Sequence, residues 1–399
     1  MKKLNKFFAV LVALAMMATL CVSMAFAAPA ESSDSLADSV ITKVLDVPAG
    51  VASPAASFDF TVTPTSQPST MALTAKTETI TFAAGTGTQT KVKSLADFIG
   101  LNDNTKDFNI TQPGEYVFTV AEANTSSFTQ DTDAKTTEAM DYSDAQYTLR
   151  VYVINGENGL EIKAITVVDS TVNEDPEEEG SEVDAAKVDP EDKDPTVTDP
   201  TNKEGSDFKF TNVYTKSFSD TEENGGAFNV EKAVTESGDT AFKFPITIAI
   251  TIDEATLENG AYTLTAGDKT WSFSTGNLTA TQTVDLANGE KAIFTTFPAG
   301  ATVNVTENVA ATSVQNAGDY TGAASGLATG TYAKGGALDV TTAAFDAQGQ
   351  VKVTNTLSSE DITPTGILVN NLPYIALALV AIGGLVAYVV VRRRNADEA

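Results

Sequence analysis

Histidine is absent from the 399-residue chain, and cysteine occurs once, at Cys21. Without histidine there is no Ser-His or Cys-His nucleophile, no histidine general base and no histidine-ligated metal site. Cys21 falls in a segment expected to be removed, so neither a disulfide nor a thiolate metal site is expected in the mature chain. Basic residues are scarce as well: 25 Lys plus Arg stand against 53 Asp plus Glu, a formal net charge of −28. That balance excludes a face able to neutralise phosphates, and nucleic acid as a partner with it. Helical periodicity is nearly absent between the termini, where only 95–102 reads as a short helical crossing.

What is present begins with two apolar ends. Lys2, Lys3 and Lys6 precede an apolar run over 7–20, and Ala25-Phe26-Ala27 supplies the small-x-small pattern of a signal peptidase site. A signal peptide over 1–27 is expected, in preference to an uncleaved anchor. At the other end, 372–391 is uncharged and long enough to span a bilayer. Arg392, Arg393 and Arg394 head a basic tail over 392–399 that stays cytoplasmic and leaves the bulk of the chain outside. Just before the span stand Ile362, Thr363, Pro364, Thr365 and Gly366.

Between the ends the pattern has period two. Phe58, Phe60 and Val62 alternate with polar residues, as do Tyr147, Leu149, Val151 and Val153, and Phe242, Phe244, Ile246, Ile248 and Ile250. Asn-Gly pairs at 155–156, 158–159, 259–260 and 288–289 punctuate the runs. The expected fold class is all-β: two tandem immunoglobulin-like sandwiches, over 36–216 and 224–358. The segment 173–204 is rich in Asp, Glu and Pro and reads as a solvated loop inserted in the first domain. Its carboxylates lack EF-hand spacing, and no metal is expected.

The two halves repeat one order of motifs. VITKVLDV is followed by PGEYVFTVAEA and FKFTNVY; FNVEKAV is followed by FPAGATVNVTEN and VKVTNTL. The strand pleat puts Lys43 on the face of Ile41 and Leu45, and Lys232 on that of Val230 and Val234. It likewise puts Glu122 with Phe118 and Val120, Glu307 with Val303 and Val305, Asn212 with Phe208 and Phe210, and Asn355 with Val351 and Val353. Each domain thus aims a lysine, a glutamate and an asparagine into its own core, where an unpaired charge costs several kcal/mol. Snorkelling at strand ends accounts for one such residue; it does not account for the same trio in the same order twice. The chemistry that uses the trio is amide formation. Burial favours a neutral lysine amine as nucleophile, the Asn carboxamide is the electrophile, and Glu122 or Glu307, once protonated, polarises that carbonyl and acts as catalytic proton shuttle. Ammonia leaves, and a Lys–Asn isopeptide bond remains.

These motifs resemble the isopeptide-linkage domains of Gram-positive, sortase-assembled backbone pilins. The stretch ITPTG, apolar span and basic tail resembles an LPxTG-like cell-wall sorting signal, from which ITPTG departs at its first two positions. The resemblance covers most of 36–394, with the acidic insertion as a departure. It implies a structural shaft subunit of a covalently polymerised cell-surface pilus. Sortase would cleave between Thr365 and Gly366 and pass the Thr365 thioester to a lysine of another pilin subunit, and finally to the peptidoglycan cell wall. Candidates for that lysine are Lys203, then Lys209, then Lys216. No cofactor is implied, and catalysis is confined to self-linkage. Three other readings stand beside this one: a wall-anchored adhesin or minor tip or basal pilin binding a host ligand, a plain type I membrane protein, and a surface enzyme restricted to carboxylate, Ser-Lys or Thr chemistry.

Overall fold

A computed structural model describes residues 33–124, 128, 131–171, 186–358, 374 and 376–389. The expected signal peptide, sorting motif, basic tail and the part of the acidic insertion over 173–185 lie outside these residues. Positions 374 and 376–389 are helical, within the expected span. No helix among the described residues is long and apolar enough to cross a membrane. Elsewhere the described chain is strands and single 3-10 turns. One of these turns, Leu95–Asp97, begins the stretch expected to be helical, but the chain then returns to a strand at Ile99–Leu101.

The described chain divides into two units at 216/217, with 134–137 belonging to the second. The principal strands of the first are β1 (Val40–Asp46), β2 (Ala56–Ser66), β3 (Lys76–Phe82), β4 (Gln89–Ser94), β5 (Gly114–Glu122), β6 (Thr136–Asp141), β7 (Gln146–Gly156), β8 (Gly159–Asp169) and β9 (Lys209–Ser219). They form two sheets, ordered β6-β9-β1-β4 and β8-β7-β5-β2-β3. The Asn155-Gly156 and Asn158-Gly159 signals close the tight β7–β8 hairpin, where Gly156 faces Gly159. Between the sheets the alternating apolar residues meet: Phe60 lies 4.9 Å from Phe210, and Tyr147 5.0 Å from Phe208, ring centre to ring centre.

The second unit repeats the plan. Its strands are β10 (Phe228–Glu236), β11 (Phe244–Thr251), β12 (Ala261–Ala266), β13 (Lys269–Ser274), β14 (Thr279–Leu286), β15 (Lys291–Phe294), β16 (Thr302–Glu307), β17 (Thr321–Gly326), β18 (Gly330–Tyr332), β19 (Leu338–Thr341) and β20 (Gly349–Leu357). The sheets run β15-β10-β20-β17-β18 and β14-β11-β16-β19, with β12 and β13 forming a separate hairpin. Trp271, the single tryptophan of the chain, is fully buried on β13 and donates its indole N–H to Ile248 O at 2.9 Å.

Two features position the site. First, in each unit the opening and closing strands are neighbours and run parallel: β1 pairs β9 with Leu45 opposite Asn212, and β10 pairs β20 with Val234 opposite Asn355. Parallel neighbours require a crossover, which here is the rest of the unit. Second, the acidic insertion is not a solvated loop throughout. From 186 onward it is hydrogen-bonded to its unit: Lys187 and Val188 pair with β8, and the residues after them run beside β1. Val40 N donates to Pro190 O at 2.9 Å, Asp192 N to Asp38 O at 2.9 Å, and Ser206 Oγ to Val40 O at 2.8 Å. Asp194 accepts the backbone N–H groups of Glu204 and Gly205. Gly205 has φ +69°, and a Cβ there would stand 2.5 Å from Thr42 Oγ1, so only glycine lets the segment approach so closely. Backbone partners and carboxylate caps, rather than an apolar face, order this stretch. A reading based on hydrophobic content passes over such forces.

Two buried lysine–glutamate–asparagine clusters

Lys43 stands on β1 and Asn212 on β9, two register positions apart on adjacent strands, so both side chains leave one face of one sheet. Glu122 ends β5 in the other sheet, opposite Phe60. The three meet across the core. Lys43 Nζ donates to Glu122 Oε2 at 2.8 Å and Asn212 Nδ2 to Glu122 Oε1 at 2.6 Å. The lysine and glutamate side chains are fully buried. In the second unit Lys232 on β10 and Asn355 on β20 share the same offset, and Glu307 ends β16 opposite Ile246. Lys232 Nζ lies 2.7 and 3.0 Å from the two Glu307 oxygens, and Asn355 Nδ2 donates to Glu307 Oε1 at 3.2 Å. All three are buried.

Burial dominates the protonation of both pairs. Loss of hydration lowers Lys43 to about 8 and Lys232 to about 8, against the pull of the neighbouring carboxylates. The same loss raises Glu122 and Glu307, against the pull of the lysines and asparagines. Both shifts favour moving one proton from Nζ to the carboxyl group, which produces a neutral amine beside a carboxylic acid. An aromatic face backs each amine: Nζ lies 4.6 Å from the ring centre of Phe58 in one cluster and 4.6 Å from that of Phe244 in the other. These rings belong to the alternating runs on β2 and β11, and their role as a floor under the lysine was not readable from alternation.

Each glutamate, expected to polarise the asparagine carbonyl, instead accepts from the amide nitrogen, and the carbonyl oxygen has another donor. Asn212 Oδ1 accepts from the backbone N–H of Ser143 at 2.8 Å, and Asn355 Oδ1 from the hydroxyl of Tyr332 at 2.8 Å. Neither donor carries a sequence signal, since Ser143 acts through its backbone and Tyr332 sits in an unpatterned Gly-Thr-Tyr strand. Chemically, each cluster presents an amine with lowered basicity, a carboxamide with its oxygen polarised and its nitrogen on a carboxyl group, and no water-exposed side.

The candidate exposed lysines separate. Lys203, expected to be reachable, is 10% exposed, and its Nζ donates to Asp192 Oδ2, Asp194 O and Val197 O at 2.9, 3.1 and 3.2 Å. All three ammonium protons are engaged, so the free-lysine expectation is corrected: residues 192–197 of the insertion fold around it. Lys216 is 20% exposed and lies 3.6 Å from Asp131 and 3.6 Å from Glu138. Lys209 is exposed, pointing away from the buried Phe208 and Phe210. Thr365 and its neighbours from Ile362 to Gly366 are outside the described residues. Among the described residues no group of three or more Asp, Glu, His or Cys is placed to hold a metal ion.

A family model described as "Domain of unknown function (DUF7601)" matches residues 226–357, the second unit alone. No curated protein matches the chain. Among solved structures, the chain is similar to the major pilin from Streptococcus pyogenes at 15% identity, covering 80% of this chain and 99% of that one with a TM-score of 0.28. The major pilin protein (T3.2) from Streptococcus pyogenes serotype GAS13637 matches at 17% identity, over 82% and 99% of the two chains, with a TM-score of 0.27. A bacterial adhesin from Mobiluncus mulieris, titled as containing intramolecular disulfide, isopeptide and ester bond cross-links, matches at 12% identity over 61% and 90%, with a TM-score of 0.23.

Proposed function

We propose that each unit closes a Lys–Asn isopeptide bond, Lys43 to Asn212 and Lys232 to Asn355, and that the chain is a structural shaft subunit of a sortase-assembled surface pilus. The observation that carries the first part is the duplicated bridge, one buried carboxyl group holding the amine and the carboxamide together in both units. The reaction proceeds from the neutral pair. Nζ attacks Asn Cγ and the glutamic acid gives its proton to Nδ2. The C–Nδ2 bond breaks, ammonia leaves, and the proton shed by Nζ returns to the carboxylate. Because burial supplies both the free amine and the protonated acid, no cofactor is needed.

The shaft role rests on the sequence motifs: the ITPTG-like sorting signal ahead of an apolar span, two tandem isopeptide-type domains, and the lack of cysteine as an alternative staple. Sortase, further copies of the chain and the cell wall are the partners this role requires. Lys209 is the acceptor that the exposure pattern favours.

Peptide mapping of the full chain by mass spectrometry tests the bonds. Two cross-linked peptides are expected, joining 43 to 212 and 232 to 355, each lighter than its two parts by one ammonia. Linear peptides alone would overturn the reading. Wall extracts on denaturing gels test the shaft: a ladder of high-mass species supports it, and single subunits only would return the chain to the anchored adhesins or minor pilins.

A further inference from the structure

The second cluster contains a group that the amide-forming trio does not account for. Tyr332 is 7% exposed, and its hydroxyl points at the carbonyl oxygen of Asn355. Three adjacent strands set up this contact. Gly322 on β17 stands opposite Tyr332 on β18 on one side and opposite Asn355 on β20 on the other. The tyrosine ring crosses the strand between them through the space a side chain at 322 would fill. A Cβ on Gly322 would stand 2.1 Å from Tyr332 Cε1 and 2.6 Å from Cζ. Gly322 has no left-handed backbone angle to explain it; its lack of a side chain serves the ring.

We infer that Tyr332 is a catalytic residue of the second unit, its hydroxyl stabilising the oxyanion that develops on Asn355 Oδ1 when Lys232 attacks, with Gly322 as the notch that admits it. The inference rests on the reading that this cluster forms an amide. In the step, the Lys232 Nζ–Asn355 Cγ bond forms and the carbonyl π pair moves onto Oδ1, where it meets the Tyr332 O–H. The pair then returns as the Cγ–Nδ2 bond breaks, Nδ2 departs as ammonia with the proton from Glu307, and Nζ sheds one proton to the Glu307 carboxylate. Tyr332 keeps its proton throughout. Burial and the nearby Glu307 charge raise the phenol above its ordinary value, so it remains a donor at neutral pH. A donor aimed at the position where charge develops, in a buried site, accelerates acyl transfer by about 10²–10³-fold.

The test uses the full chain isolated unfolded and refolded by dilution in detergent, with both bonds timed by peptide mapping. Trp271 emission reports folding of the second unit independently of the bond. Tyr332→Phe keeps the ring and is expected to regain Trp271 emission at the wild-type rate, while the 232–355 bond forms about 10²-fold more slowly. The 43–212 bond, which has no tyrosine on its carbonyl, keeps its wild-type rate as the internal clock. Gly322→Ala, which retains the hydroxyl but displaces the ring, is expected to slow the same bond and leave the clock unchanged. A 232–355 bond forming at the wild-type rate in either folded variant overturns the inference and leaves the proposed function standing. Absence of the 232–355 bond from the wild-type chain overturns both.

Discussion

In the first unit the asparagine carbonyl of the cluster accepts from a backbone N–H at Ser143; in the second it accepts from a phenol at Tyr332, and both contacts are 2.8 Å. The lysine side of the two clusters differs far less. Each amine lies at the same distance from a phenylalanine ring, each is lowered to about 8 by burial, and each faces a glutamate at the end of a strand of the opposite sheet. The lysine and the glutamate are fixed by strand register, which the fold cannot vary without moving a whole strand. The donor to the carbonyl need only be a polar hydrogen at the right place, and a turn or a neighbouring strand can supply it. Two solutions in one chain show that this fourth position is open to replacement.

The comparison is broken most completely by removing the acid. Glu122→Ala is expected to abolish the 43–212 bond and leave 232–355 intact, and Glu307→Ala to do the reverse; peptide mapping reads both. Normal bonding in both variants would show that these glutamates are not the shuttles. The next effect is on stability. A unit without its bond is expected to lose roughly 5 kcal/mol, because each bond closes a loop of well over a hundred residues in the unfolded chain. Lys43→Met and Lys232→Met, compared by denaturant titration, check this unit by unit.

A smaller, graded effect comes from pH. The reactive state carries one proton shared between lysine and glutamate. Since burial lowers both lysines to about 8, the pair loses that proton as pH rises through about 8, the carboxyl group can no longer protonate the departing nitrogen, and bond formation slows in both units. On the acid side the raised glutamates bring the opposite loss: once both groups are protonated the amine is no longer a nucleophile. Rates after dilution into buffers on either side of this window check the shape; a rate still rising well above pH 8 would contradict it. The smallest expected effect separates two lysines of the first unit. Lys209→Ala is expected to remove the high-mass ladder with both internal bonds and the stability unchanged. Lys203→Ala is expected to keep the ladder and cost about 1–3 kcal/mol by leaving buried acceptors of the insertion unpaired.

Much of this was legible in the sequence because it depends on period two. Alternation located the strands around Phe58, Tyr147 and Ile248, and the pleat placed Lys43, Glu122 and Asn212 on inward faces that the buried side chains occupy. What alternation cannot express is a contact made by backbone or by a single residue. Ser143 contributes a peptide N–H that every residue but proline has, Tyr332 depends on the absence of a side chain at Gly322, and Lys203 is enclosed by main-chain oxygens of its own segment. The acidic stretch after 186 was misread for the same reason, since its order comes from hydrogen bonds to β8 and β1 and from Asp194 capping Glu204 and Gly205, none of which raises its hydrophobic content.

The parallel pairing of the first and last strands has a mechanical consequence. Tension that enters a unit at the start of β1 and leaves beyond β9 pulls two side-by-side strands along their lengths in opposite directions. Their hydrogen bonds then lie across the load and resist together instead of peeling one at a time. With an amide between residues 43 and 212, force passes from one strand to the other at that point, and everything between these residues is relieved of it. The same holds between 232 and 355. With the proposed bonds, tension in each unit would run through a few residues of strand, one side-chain bridge and a few residues more. Loops, hairpins and the acidic segment hang outside that path, free to lengthen or change in sequence with no penalty in tensile strength.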